Sequence, residues 1–156
     1  MNRALLVLLF TLTAWLAVSA QLRGTVIAIA DGDTFTLLTA QNQQVKIRLH
    51  GIDCPEKKQP YSNNAKAYIS SLVFGKQVFV QVKNKDRYGR TIGVVLLEDK
   101  RNVNELLLQA GWAWHFKKYD QDARWAAMEQ QARRNRKGLW ADPNPIAPWD
   151  WRARKK

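Results

Sequence analysis

Val45-Lys-Ile-Arg-Leu-His50 alternates apolar and polar residues without a break. Successive side chains of a strand point to opposite faces, so Val45, Ile47 and Leu49 are directed to a core and Lys46, Arg48 and His50 away from it. Working outward, residues 34–39 are a second β-rich run, and the polar residues 40–44 close the two runs into an antiparallel hairpin. Further upstream, residues 24–30 form a third run, led into the second by the turn signal Asp31-Gly-Asp33. The expected register sets Thr39 opposite Val45, Thr34 opposite His50 and Asp33 opposite Gly51, so that Asp33 and Asp53 meet at one end of the hairpin.

The downstream chain continues in the same manner. Ser62 is a good N-cap, and Ala65, Tyr68, Ile69, Leu72 and Val73 follow at helical spacing before Gly75. Residues 77–83 alternate around Val78, Val80 and Val82, residues 90–97 form another strand, and the charged Asn84-Lys-Asp-Arg-Tyr-Gly89 connects them. Asn102-Val-Asn-Glu105 has the pattern of a capping box, with Val103, Leu106, Leu107 and Ala110 on one helical face and Gly111 past the end. Trp112-Ala-Trp-His-Phe116 reads as extended. Residues 120–137 predict a third helix with Trp125, Met128 and Ala132 inward and a basic last turn suited to the helix dipole. Five strands, the first three a meander, with interspersed helices predict a mainly β, α+β domain: a five-stranded Greek-key barrel of the OB type with three α-helices. An open α+β sheet is the alternative.

The 156 residues with 46% apolar content suit one domain and one core. Residues 1–20 stand apart: Arg3 precedes an apolar run that ends at Val18-Ser-Ala20, the pattern of a secretory signal cleaved after Ala20. An uncleaved anchor is the other reading, though the run is short for a full span. A domain over 21–140 and a Pro/Trp-rich basic tail over 141–156 remain. The expectation is a secreted or periplasmic monomer without stable membrane association after cleavage. Cys54 is the only cysteine, which excludes an intramolecular disulfide. A formal net charge of +12 attracts polyanions, nucleic acid among them.

Against this basic background, Asp33, Asp53 and Glu56 gather within one short span. Asp33 and Asp53 offer hard oxygen ligands of the kind Ca²⁺ or Mg²⁺ takes. Two histidines without cysteine partners do not make a zinc site. The plainer reading is that Asp31 and Asp33 only shape an Asp-Gly turn. Glu56 could act as a general base on water, and Arg48 and Arg90 present the planar fork that suits a phosphodiester. Trp112, Trp114 and Phe116 would serve either core packing or base stacking.

Asp31-Gly-Asp-Thr34, Arg48-Leu-His-Gly-Ile-Asp-Cys-Pro-Glu56, Asp86-Arg-Tyr-Gly-Arg90, Val103-Asn-Glu105 and Gly138-Leu-Trp140 together resemble the staphylococcal nuclease (thermonuclease) family over about 24–140. The resemblance implies an OB-type barrel and a Ca²⁺-dependent phosphodiesterase that cuts DNA and RNA, single-stranded or frayed by preference, leaving 3′-phosphates. It implies Asp33, Asp53 and the Cys54 carbonyl as metal ligands and Glu56 as the base. Arg48 and Arg90 would hold the scissile phosphate and stabilise the pentacoordinate state. Arg87 and Tyr88 would lie near a terminal phosphate. Cys54 stands where the best-known member has threonine, and Lys117 and Tyr119 stand where it has two nucleotide-contacting tyrosines, leaving Tyr119 as the substrate-binding candidate. A non-catalytic nucleic-acid-binding module on the same barrel is the alternative function, and a membrane-tethered enzyme a third.

Overall fold

Ile47 and Leu49 are buried and Arg48 faces away from them, as the alternation of the third strand requires. The computed structural model describes residues 21–154, and the expected signal segment, 1–20, lies outside them. In chain order the elements are β1 (Gln21–Ile29), β2 (Thr34–Thr39), β3 (Gln44–Leu49), β4 (Ile52–Asp53), α1 (Ser62–Val73), β5 (Gln77–Lys85) and β6 (Thr91–Leu97). They continue with α2 (Val103–Ala110), β7 (Trp114–His115), α3 (Ala123–Arg134), a 3₁₀ turn (Gly138–Ala141) and α4 (Pro148–Ala153).

Strands β1-β2-β3-β6-β5 close into a barrel, β5 returning antiparallel to β1 and β6 running parallel to β3. A parallel neighbour needs a crossover, which α1 and β5 supply. Closure leaves the barrel without a free edge. This is the expected five-stranded OB barrel, accompanied by a two-stranded ladder of β4 and β7. Its interior is filled by Val26, Phe35, Leu37, Ile47, Val78, Val80 and Val95, and α1 and α2 add Ile69, Leu107 and Leu108.

The hairpin register differs by two residues from the expectation. Leu37 lies opposite Val45 and Thr34 opposite Arg48. The Thr39 N–H donates to the Gln43 carbonyl at 2.9 Å, and Asn42 adopts φ 58, so a three-residue loop with a left-handed residue replaces the longer one. A slip of two leaves every side chain on its expected face, so the core is unchanged. The open end does change: Asp33 lies across from Leu49, whose N–H donates to the Asp33 carbonyl at 2.9 Å.

The start of α1 and one capping contact of α2 also differ. Tyr61, at φ 67, is the N-cap of α1 and makes no side-chain cap, while Ser62 is already helical because the chain enters from the turn in which Ser62 N–H meets the Gln59 carbonyl. Asn102 caps α2 as expected, accepting from the Asn104 and Glu105 N–H groups. Glu105, however, does not return to Asn102: its Oε1 accepts the Trp125 indole N–H at 3.0 Å and ties α2 to α3. The third helix is shorter than the expected 120–137: Asp122 caps it and Asn135 ends it, so of the basic run only Arg133 and Arg134 lie in its last turn.

Asn104 is fully buried; its Oδ1 accepts from Val95 N–H at 3.1 Å and its Nδ2 donates to the His50 carbonyl at 2.9 Å. It thus pins the end of β3 to β6 and α2. Asn104→Leu should cost about 2–3 kcal/mol in urea denaturation, because two buried backbone groups lose their partners. A cost below about 1 kcal/mol would remove Asn104 from the support of this end.

The tail folds onto the domain. Trp114, Ala132, Leu139, Trp140 and Ala147 form a second buried cluster, in which Trp114 meets Trp140 edge-on at 4.4 Å. Trp149 meets Trp114 edge-on at 5.6 Å and stacks on Phe116 at 4.8 Å. The aromatic run around Trp114 is therefore packing material, and it seats α4, a short helix that Pro148 begins. No helix among the described residues is long and apolar enough to cross a membrane.

Candidate active site

The Asp31-Gly-Asp33 turn is held by the Asp33 N–H, which donates to Asp31 Oδ1 at 3.1 Å. A Cβ on Gly32 would stand 2.7 Å from Cys54 Cβ and 2.9 Å from Ala65 Cβ, so glycine is what lets this turn close over Cys54. On the other side, β4 follows β3 after the tight turn at Gly51 and pairs Asp53 with Trp114. Two backbone ladders thus bring Asp33 and Asp53 together, both buried, at 5% and 1% exposure.

Arg48 lies between them. Its Nη1 is 3.1 Å from Asp33 Oδ2 and its Nη2 is 2.8 Å from Asp53 Oδ1. Nη1 also donates to the Leu49 and Ile52 carbonyls. The Cys54 N–H donates to Asp33 Oδ2 at 2.6 Å, so Cys54 joins the cluster through its backbone while burial of its thiol pushes the thiol pKa well up. Burial also pushes the Asp33 carboxyl well above the ordinary carboxylate range, against the pull of Arg48 and with Asp31 and Asp53 adding to the rise. Asp53 is raised by burial as well, although Arg152 and Arg48 work in the opposite direction. In both cases burial is the larger influence and the arginines oppose it.

Glu56 stands at the edge of this cluster, about one-third exposed, on the turn that leads into α1. It is joined to Asp53 by a residue that the motif reading passed over. Arg152, on α4, donates from Nη1 to Glu56 Oε1 at 2.5 Å and from Nη2 to Asp53 Oδ2 at 2.9 Å. The available signal was the spacing Trp149-x-x-Arg152 behind a proline, which places an aromatic anchor and an arginine one helical turn apart.

The remaining candidates make no hydrogen bond or ion pair with Asp33, Asp53 or Glu56. Arg90 immediately precedes β6, two residues before Ile92, the register partner of Arg48. Its Nε is bonded to Asp86 Oδ2 at 2.7 Å, and it makes no hydrogen bond or ion pair with Asp33, Asp53 or Glu56. Arg87 and Tyr88 form the exposed tip of the β5–β6 hairpin, Arg87 Nη2 donating to the Tyr88 hydroxyl at 2.7 Å. Tyr119 is 61% exposed and packs edge-on to Phe116 at 4.8 Å. Lys117 is exposed beside it.

The donor chemistry fits a hard divalent cation: two carboxylates, Asp33 and Asp53, bridged by one guanidinium and so within one cluster of oxygen donors. Among the described residues no group of three or more His, Cys, Asp or Glu side chains is arranged to hold a metal. Asp33 and Asp53 would therefore supply part of a coordination shell, with backbone, water or substrate oxygen for the rest, a style open to Ca²⁺ and Mg²⁺. His50 and His115 are both engaged by Asp120, at 3.3 and 3.0 Å, and so are committed away from the cluster.

A family model described as "Staphylococcal nuclease homologue" matches residues 46–142. A protein of Shigella flexneri named micrococcal nuclease is 39% identical, the match covering 98% of this chain and 91% of that one. An uncharacterized endonuclease of Haemophilus influenzae is 43% identical over 84% of this chain and 73% of its own length. The staphylococcal-like nuclease CAN1 of Arabidopsis thaliana is 42% identical over 82% of this chain and 40% of its own.

Proposed function

The chain belongs to the staphylococcal nuclease homologue family, and from that premise we propose that it is a secreted, Ca²⁺-dependent, sugar-nonspecific nuclease hydrolysing DNA and RNA to 3′-phosphate products. The observation that carries this reading is the convergence of Asp33, Asp53 and Arg48 in one buried cluster with Glu56 at its edge. The excess of Lys and Arg over Asp and Glu, 25 against 13 in the full chain, would draw nucleic acid to it through the phosphates, with little regard for sequence.

Asp33 and Asp53, with the Cys54 carbonyl, would hold the cation, which when bound neutralises charge on the phosphate and polarises it. Glu56 accepts the proton of the attacking water as general base. Arg48 holds the scissile phosphate and stabilises the charge that grows on its oxygens in the transition state. Arg90 exchanges its Asp86 partner for the same phosphate. Arg87 and Tyr88 receive a terminal phosphate at the hairpin tip. Tyr119 and Tyr88 present exposed rings on which unpaired bases stack, the basis for a preference for single-stranded or frayed substrate. The enzyme acts as a monomer outside the cytoplasm, released by cleavage after Ala20.

Incubating the purified chain with single-stranded DNA or RNA in Ca²⁺, in Mg²⁺ and in chelator tests the proposal. Cleavage is expected with Ca²⁺, none with chelator, and 3′-phosphate ends on the products. Salt-sensitive binding without cleavage in either metal would overturn it in favour of a binding module.

A further inference from the structure

Asp53 is surrounded by guanidinium groups. Oδ1 accepts from Arg48 Nη2 at 2.8 Å and from Arg152 Nη1 at 3.4 Å, and Oδ2 accepts from Arg152 Nη2 at 2.9 Å. Arg152 bonds Glu56 through the same Nη1. The contact joins residues 99 positions apart and is made by a segment beyond the 46–142 match. It is not a chance touch of a loose end: Ala147 and Pro148 are buried, Trp149 stacks on Phe116, and Gln59 Nε2 donates to the Ile146 carbonyl at 2.7 Å.

We infer that Arg152 is a phosphate-binding residue of the nucleic-acid site, resting on the acidic cluster when no cation is bound and transferred to the substrate strand when one is. The inference rests on the nuclease reading for the identity of cation and substrate. Competition carries its first half. A cation that takes Asp53 needs a carboxylate oxygen that Arg152 now occupies, and two positive groups at one oxygen repel. Its second half follows from charge. With all three acids ionised, the groups in mutual contact, Asp33, Asp53 and Glu56 against Arg48 and Arg152, carry one net negative charge, which invites a cation. Asp31, which touches neither arginine, is outside this count. With a divalent cation the balance becomes one net positive charge, and the single charge of a phosphodiester restores neutrality.

Geometry agrees with the transfer. The Arg152 side chain is 43% exposed, so one side of its fork already faces solvent at the mouth of the cluster. Trp149, one helical turn earlier, anchors the helix and keeps the displaced guanidinium within a side chain's reach of the site. A planar fork that now spans two carboxylates is also the shape that takes two phosphate oxygens.

The test compares the parent with Arg152→Ala and Arg152→Lys in two measurements that need no turnover. Calorimetric titration with Ca²⁺ in the absence of nucleic acid reads the competition. Fluorescence anisotropy with a single-stranded phosphorothioate oligonucleotide in saturating Ca²⁺, repeated across a salt series, reads the phosphate contact. Arg152→Ala is expected to bind Ca²⁺ severalfold more tightly and the oligonucleotide about tenfold more weakly, with a salt slope lower by about one. Arg152→Lys is expected to keep the slope and lose part of the affinity, since it retains charge but not the fork. Unchanged oligonucleotide affinity and slope, or tighter binding, would overturn the phosphate role, and unchanged Ca²⁺ affinity would overturn the exchange. A parent that binds both ligands yet cleaves nothing defeats the nuclease reading, while the two affinities still decide the role of Arg152.

Discussion

Replacing Arg48 by methionine should cost the cation-free protein about 3–5 kcal/mol of stability, the typical loss when one partner of a buried ion pair is removed. Asp33 and Asp53 would lose the guanidinium that now bonds each of them, and the Leu49 and Ile52 carbonyls would lose a donor. Burial already raises both carboxyls, and the loss of Arg48 would raise them further. A carboxyl whose folded pKa lies above its unfolded value binds its proton more tightly in the folded state. Its contribution is therefore greatest in acid and is lost as pH rises from the ordinary carboxylate range through the raised one. Arg48→Met should thus be least impaired at acidic pH and most impaired at neutral pH. A divalent cation at a hundred times its Kd would stabilise whichever protein binds it, parent or variant, by about 2.7 kcal/mol, so the cost of the substitution is read in chelator. Urea denaturation in chelator and in excess Ca²⁺ measures both numbers. A loss below about 1 kcal/mol in chelator would show that Arg48 does not hold the two aspartates together.

Glu56→Gln should lower kcat by about 10²–10⁴, the usual contribution of a positioned general base, with little change in KM. The amide keeps an oxygen for Arg152 and removes the capacity to take a proton from water. Because Glu56 is partly exposed on a turn, the variant should unfold within about 1 kcal/mol of the parent, so a fall in kcat reports chemistry and not misfolding. Single-turnover cleavage in Ca²⁺ measures it. Wild-type kcat in this variant would remove Glu56 from the mechanism.

Most of the barrel was legible because strand alternation and helix periodicity are local. Ile47, Leu49, Val78 and Val80 go inward whichever register is chosen, since a two-residue slip preserves the face. The slip itself was not legible. It depends on whether Thr39 pairs with Gln43 across a short loop, a choice made by closing contacts and not by alternation. The capping signal of Asn102 was correct for the same local reason, whereas Glu105 had a better partner in Trp125, twenty residues away.

Sequence alone pointed to the five barrel strands, the three longer helices, the basic charge, and Asp33, Asp53, Glu56 and Arg48 as candidates, because each rests on residue type and short spacing; Arg152 was not among them. Tertiary structure decided how those residues are joined. Arg48 bridges Asp33 and Asp53, and Arg152 reaches Asp53 and Glu56 from the other end of the domain, whereas the Arg90–Asp86 pair is local to the β5–β6 turn. The Arg48–Asp33 pair and the two Arg152 pairs depend on distances of a few ångströms between segments far apart in the chain, and only the closed barrel and its docked tail set those distances.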